Sequence, residues 1–432
     1  MSKELLNRYL ESNRLLAEVE QLIPLASQTF SKSRTQYPPT ISPLFASKSL
    51  GCKTWDVDGN EYIDLVSSLA AVTLGYGDSE VNQAVVAQLE LGVTLTLPGI
   101  LEYEVASLIR ELVPSAEKVR FAKTGSDATA GAIRLARAYT GKDHILISGY
   151  HGWQDWYIGT TSMNLGVPDE VKRLSHIFQA NDKDSFDNLL LELSGKIAAV
   201  ILEPISAVSP SQDFLVYIRK RTSELGIVLV FDETVTGFRI APGGAQAVLG
   251  ITPDLTTFGK GIANGFPLSV LCGRADIMNL MDRVFFSGTF GGELLSLAAA
   301  KVVLTKIKSE NVTFRLNEIG MALNKAVTNV IRELDFQGLE LRGHPSWQFL
   351  IWDERKFRSI QLTKTLFLQE MFFRGVLILG SHNVTLCHDA AAIEKVRTAY
   401  SEVLKLIQSV ELSNSYDKVL CVTPLEPLFR VR

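Results

Sequence analysis

The middle of the chain alternates short apolar runs with stretches of helical spacing. The runs are KVRFA (118–122), HILISG (144–149), AAVILEP (198–204), IVLVFDE (227–233) and LSVLCG (268–273), each bounded by Gly, Pro or charge. Val/Ile/Leu runs without polar alternation belong to strands buried on both faces. With helices between them, such strands are mostly parallel. The helices include Asp127–Tyr139 and Phe214–Leu225, and Gly141 and Gly226 stand where left-handed C-caps belong. The pattern predicts an α/β fold built on a mostly parallel sheet.

The flanks read differently. Residues 5–23 carry Leu5, Tyr9, Leu16, Val19 and Ile23 at helical spacing. That helix is either a partner-binding arm or packs on its own chain or on a dimer mate. Thr54–Leu65 reads as a hairpin around the turn pair Asp58-Gly59. Beyond residue 310, Arg315–Leu334 and Ala391–Ser409 look helical, and 339–353 and 376–382 look extended. The expected organisation is a segment 1–75 that joins a small domain, a large domain over 76–310, and a small α+β domain over 311–432.

Composition removes whole classes of function. The 43 basic and 47 acidic residues leave a formal charge of −4, without the basic footprint of a nucleic-acid binder. Cys52, Cys272, Cys387 and Cys421 lie far apart and form no CxxC, as reduced thiols do. The N-terminus lacks a signal-peptide pattern, and no apolar run nears the ~20 residues of a membrane span. A cytoplasmic protein without a membrane partner is the expectation.

No phosphate-loop G-x-x-x-x-G-K-[ST] and no H-E-x-x-H occur, and the six histidines lack metal-ligand spacing. No metal site is expected. Four segments carry chemistry. In KTGSDATAGAIRLARAYTG (123–141), Thr124, Gly125 and Ser126 end a strand and open a helix. Free N–H groups and the helix dipole there suit a phosphate, or the residues are a plain helix cap. GYHGWQDWY (149–157) puts aromatics after a strand, to stack on a planar ligand or to pack the core. In IVLVFDETVTGFR (227–239), Asp232 should end a central strand over the ligand crevice, needing a cationic partner if ionised. A salt bridge or a helix cap would also explain it. Lys260 stands between Gly259 and Gly261 in an apolar stretch, either as a desolvated nucleophile or as a solvated loop residue. Together, a phosphate cup, a stacking aromatic, a strand-end carboxylate and a desolvated lysine are what pyridoxal 5′-phosphate (PLP) needs.

At this point the sequence resembles a family, the class III (subgroup II) PLP-dependent aminotransferases of fold type I. Within it the likeness is to the glutamate-1-semialdehyde aminomutase branch. The likeness runs from about Tyr37 to the C-terminus. It rests on WDVDGNEYID (55–64), RFAKTGSDATAGAIRLARAYTG (120–141), YHGW (150–153), EP (203–204), FDETVTGFR (231–239), PDLTTFGKGIANGFP (253–267) and SGTFGGE (287–293). The resemblance implies a large PLP domain with a smaller α+β domain. It makes Lys260 the Schiff-base lysine and Asp232 the partner of the pyridinium nitrogen. Thr124, Gly125 and Ser126 become the phosphate loop, Tyr150 the ring-stacking aromatic with His151 beside it, and Glu203 the ring-pocket glutamate. Thr234 stands where the family usually has Val under the ring. Thr289 matches a threonine that reaches the phosphate of the neighbouring subunit's cofactor, which implies a homodimer with shared active sites.

Departures narrow the reaction. Val208 stands about where the aminomutases often have Asn, Trp153 replaces a second His, and FSKSRTQYPPTISP (30–43) replaces their N-terminal substrate segment. The expected activity is transfer of an amino group from an amino-acid donor, glutamate first, to an aldehyde or ketone, with a sugar or nucleotide-sugar carbonyl leading. The rivals are the intramolecular aminomutase reaction, a decarboxylase or racemase, and a non-catalytic PLP-binding regulator. The last is disfavoured by the intact lysine and aspartate.

Overall fold

The computed structural model describes residues 7–426. These divide into two compact units. The larger holds 71–73 and 78–315, and the smaller holds the chain up to 70, 74–77 and the part from 316 on.

The larger unit is built on seven strands: β1 (Lys118–Ala122), β2 (His144–Ser148), β3 (Ser175–Ile177), β4 (Ile197–Leu202), β5 (Val228–Asp232), β6 (Leu255–Phe258) and β7 (Ser269–Gly273). They lie in the order β1-β7-β6-β5-β4-β2-β3. β7 is antiparallel to both neighbours, and every other pair is parallel. All five apolar runs are therefore strands, and six strands point the same way.

The unbroken apolar runs have a direct cause. Ile145, Ile147, Ala199, Ile201, Val228 and Val230 face one core, shared with Ala128, Ala132 and Ile133 of the helix Gly125–Thr140. Leu146, Val200, Leu202, Leu229 and Phe231 alternate with them and face a second core with Phe178, Phe186 and Phe214. A strand buried on both faces has no room for polar alternation. Two strands lie outside the apolar runs. β3 is a short edge, and β6 is interrupted by Thr256 and Thr257, both fully buried. The Thr256 hydroxyl bonds Ser115 and Gln246, which removes the cost of burying it.

The helices Gly125–Thr140 and Gln212–Leu225 start at the side-chain caps Thr124 and Ser211. They end on left-handed Gly141 and Gly226, as the sequence predicts.

In the smaller unit the hairpin forms between Lys53–Asp56 and Glu61–Asp64, with Gly59 at φ +85°. It lies in a four-stranded sheet with Ala46–Leu50 and Val376–Leu377. A second sheet joins Leu339–His344, Trp347–Trp352 and Ser381–Asn383. The stretch 339–353 is thus two strands, and 376–382 divides between two sheets. The helices Val312–Glu333 and Ala390–Ser413 match expectation. The N-terminal helix is shorter than predicted, Leu10–Val19, and Leu5 lies outside the described residues. It packs on its own chain. The Asp58 carboxylate accepts from the Glu11 N–H at 2.7 Å, the Ser12 N–H at 3.0 Å and the Ser12 hydroxyl at 2.6 Å. Among the described residues, no helix is long and apolar enough to cross a membrane.

Candidate active site

In open α/β sheets, ligands sit beyond the carboxyl ends of the strands. Here β1 leads to Thr124–Ser126, β2 to Tyr150 and His151, β4 to Glu203, β5 ends on Asp232, and β6 leads to Lys260. All five strands run the same way, so these residues gather at one edge of the sheet.

Asp232 is 5% exposed. Its Oδ1 accepts from the Thr234 hydroxyl at 2.6 Å, the Thr257 hydroxyl at 3.0 Å and the Thr234 N–H at 3.1 Å. Its Oδ2 faces His151 Nδ1 at 2.8 Å. Burial alone would raise the carboxyl pKa, but the bonds from His151 and Thr234 prevail and hold it below the usual range. The group is an ionised carboxylate in the protein interior.

His151 is buried and held at both ends. Nδ1 meets Asp232, and Nε2 lies 3.2 Å from the Ser148 carbonyl. Its own carbonyl accepts from the Thr129 hydroxyl at 2.9 Å, which ties this loop to the helix Gly125–Thr140. Trp156 stacks near the imidazole, and Tyr157 meets it edge-on. These two are the core-packing aromatics of the 149–157 segment. Tyr150 and Trp153 are instead 50% and 65% exposed.

Glu203 accepts from the Tyr150 N–H at 3.1 Å. Burial pushes its pKa up to about 6, against the pull of His151 and Lys260. Gly149, at φ +109°, permits that approach, since a Cβ there would lie 2.6 Å from Glu203 Oε2.

Lys260 has φ +44°, a left-handed backbone that a non-glycine residue adopts at a cost. Burial lowers its pKa, while the charges of Glu203 and Asp232 raise it and that of Arg239 lowers it further. The lysine therefore lies within electrostatic reach of both carboxylates, with burial the largest influence on it.

At the start of the helix Gly125–Thr140, the Thr124 hydroxyl accepts from the Asp127 N–H, and the Asp127 carboxylate accepts from the Thr124 N–H. The Ser126 hydroxyl accepts from the Trp153 N–H at 3.3 Å. Gly152, at φ +110°, packs so closely that a Cβ there would lie 2.2 Å from Ser126 Oγ. A Cβ at Gly125 would lie 3.0 Å from Thr234 Cγ2, and one at Gly259 would lie 3.2 Å from it. The cradle is thus cut to backbone dimensions.

Thr289 lines the same cavity as Asp127, the residue bonded to Thr124. The cavity, of about 620 Å³, is also lined by Glu102, Tyr103, Arg120, Lys123 and Phe290. Val208 is exposed. Sequence reasoning missed Thr257, Thr129 and Gly152. Only the polar pair inside DLTTF hinted at the first.

A buried carboxylate held by four hydrogen-bond contacts, a lysine with its pKa lowered by burial and a glycine-lined helix start fit PLP. The family profile described as Aminotransferase class-III matches residues 35–390. The chain belongs to the class-III aminotransferases. It is 32% identical over 394 residues to glutamate-1-semialdehyde 2,1-aminomutase of Aquifex aeolicus, spanning 84% of this chain and 93% of that protein. It is 30% identical over 410 residues to 3-aminobutyryl-CoA aminotransferase of Cloacimonas acidaminovorans, spanning 92% and 98%. Among solved structures, the FumI protein of Sphingopyxis sp. MTA144, in its PLP internal aldimine form, superposes with a TM-score of 0.86 at 27% identity, covering 96% and 98%. The expected fold type, the enzyme class and the PLP cofactor are borne out.

Proposed function

We propose that this aminotransferase takes an amino group from an amino acid, glutamate first, and delivers it to an aldehyde or ketone, a sugar or nucleotide-sugar carbonyl being the leading acceptor. The observation that carries the reading is the buried Asp232 carboxylate, held by His151, Thr234 and Thr257, with Lys260 within its electrostatic reach. When bound, PLP supplies a pyridine ring that withdraws electrons from the substrate carbon. Asp232 holds a proton at the ring nitrogen, because a buried carboxylate without a cation is costly. Lys260, its pKa lowered by burial, takes a proton at Nζ from the substrate carbon and returns it elsewhere. The N–H groups of Gly125 and Ser126, with Thr124, bind the phosphate at the positive end of the helix. Tyr150 orients the ring by stacking, with its backbone fixed by Glu203.

The working unit in this reading is a homodimer in which Thr289 of one copy serves the other's phosphate. Leu89, Leu91, Leu95, Leu97, Ile100 and Tyr103 support it, since all are exposed in the larger unit. Such an apolar run on a surface marks an interface.

The aminomutase relatives favour a second reading, intramolecular amino transfer. Turnover without an added amino donor would establish it, and a strict need for a second substrate would sink it. The screen mixes the amino-loaded enzyme with candidate carbonyl compounds and follows the return of the cofactor's visible absorbance. Lys260→Ala should abolish both turnover and the lysine-linked absorbance. Survival of either would overturn the assignment of Lys260.

A further inference from the structure

We infer that Thr234 is a positioning residue whose hydroxyl, together with its own N–H and the Thr257 hydroxyl, saturates Oδ1 of Asp232 and leaves Oδ2 as the oxygen that would accept the hydrogen bond from the cofactor's protonated ring nitrogen. The inference rests on the PLP reading above.

The two oxygens of Asp232 differ in how much acceptor capacity they have left. A carboxylate oxygen offers about two lone-pair directions. Oδ1 already accepts from the Thr234 hydroxyl, the Thr257 hydroxyl and the Thr234 N–H. Among the described residues, Oδ2 takes only the His151 contact. The open acceptor direction is therefore on Oδ2. The Thr234 hydroxyl makes the shortest of the four contacts, and it is the only one of the three Oδ1 donors that a single-atom change removes without touching β6 or the backbone.

The same side chain touches the rest of the site through its methyl. Cγ2 lies where a Cβ on Gly125 or Gly259 would press against it. Thr234 thus stands between the phosphate loop, the residue before Lys260 and the acceptor carboxylate. A packing role and a hydrogen-bonding role both fit that position, and they separate by chemistry. Thr234→Val keeps the shape and deletes the donor. Thr234→Ser keeps the donor and deletes the methyl.

The charged and titratable groups facing Asp232 are His151, Glu203, Lys260, Tyr150 and Tyr157. Of these, His151 is bonded to the carboxylate and reports on it directly. A carboxylate that loses a donor becomes a stronger acceptor for those that remain.

The test uses NMR of the full-length protein without cofactor, reading the His151 Nδ1 proton. In Thr234→Val this resonance should move downfield, while Thr234→Ser should keep the wild-type position. After loading with PLP, Thr234→Val should release the cofactor no faster than the wild-type protein, because the carboxylate that has lost a donor is the stronger acceptor for the ring N–H. Thr234→Ser should release it at close to the wild-type rate. The inference is overturned if the valine variant leaves the resonance in place, or if the serine variant moves it equally. Wild-type protein that binds no PLP would overturn the PLP reading instead, and the resonance would still decide what the hydroxyl does.

Discussion

Glu203 joins the site to the pH dependence of the fold. Burial raises its pKa from the ordinary 4.5 to about 6. A group raised by folding gives stability that is full below its unfolded pKa and is lost as pH rises through the folded value. The cofactor-free protein should therefore lose about 2 kcal/mol from this group as pH rises from well below 4.5 to well above 6. Glu203→Gln keeps an acceptor for the Tyr150 N–H and should flatten that part of the curve, as urea titrations at several pH values would read. Gly152 gives a second expectation. Its positive φ and its packing on Ser126 leave no room for a methyl group. Gly152→Ala should cost about 1–3 kcal/mol in a thermal melt and weaken phosphate binding as well. Lys260 and Asp232 were legible in the sequence because glycine flanks and an apolar lead-in set them apart. Thr257 was not legible. Its hydroxyl lies inside a strand, and only the fold shows that it points at Asp232.

Among the elements, legibility followed the pattern of exposure. The central strands could be read because they are buried on both faces. The helix Ile360–Phe373 could not, for the same reason. Thr363, Thr365, Gln369 and Glu370 are buried along with its apolar residues, so no polar stripe marks its period. The N-terminal helix carries the opposite lesson. Its start is held by Asp58, which lies in a hairpin turn far along the chain. No local capping residue announces that start. Asp58→Ala should cost about 1–2 kcal/mol and expose residues 10–30 to faster proteolytic cleavage. An unchanged cleavage rate would show that packing of Tyr9 against Tyr62 suffices to hold the helix.

For the whole molecule, the exposed apolar run from Leu89 to Tyr103 predicts the assembly. Charge at its centre, as in Leu97→Asp with Ile100→Asp, should shift sedimentation from dimer to monomer and remove activity, because each site would lose the other copy's Thr289. Wild-type sedimentation as a monomer would end that expectation.

The two units also differ in how the chain supplies them. The larger is, apart from 71–73, one continuous run, 78–315. The smaller closes only when Glu61–Asp64 pairs with Val376–Leu377 and Asn383 bonds the Val66 carbonyl. Synthesis is vectorial, so the catalytic sheet can be complete on the ribosome while its N-terminal segment still waits for partners. Arrested nascent chains ending shortly after residue 315, with enough extra length to clear the exit tunnel, should protect 78–315 from protease while residues 7–70 are still cut.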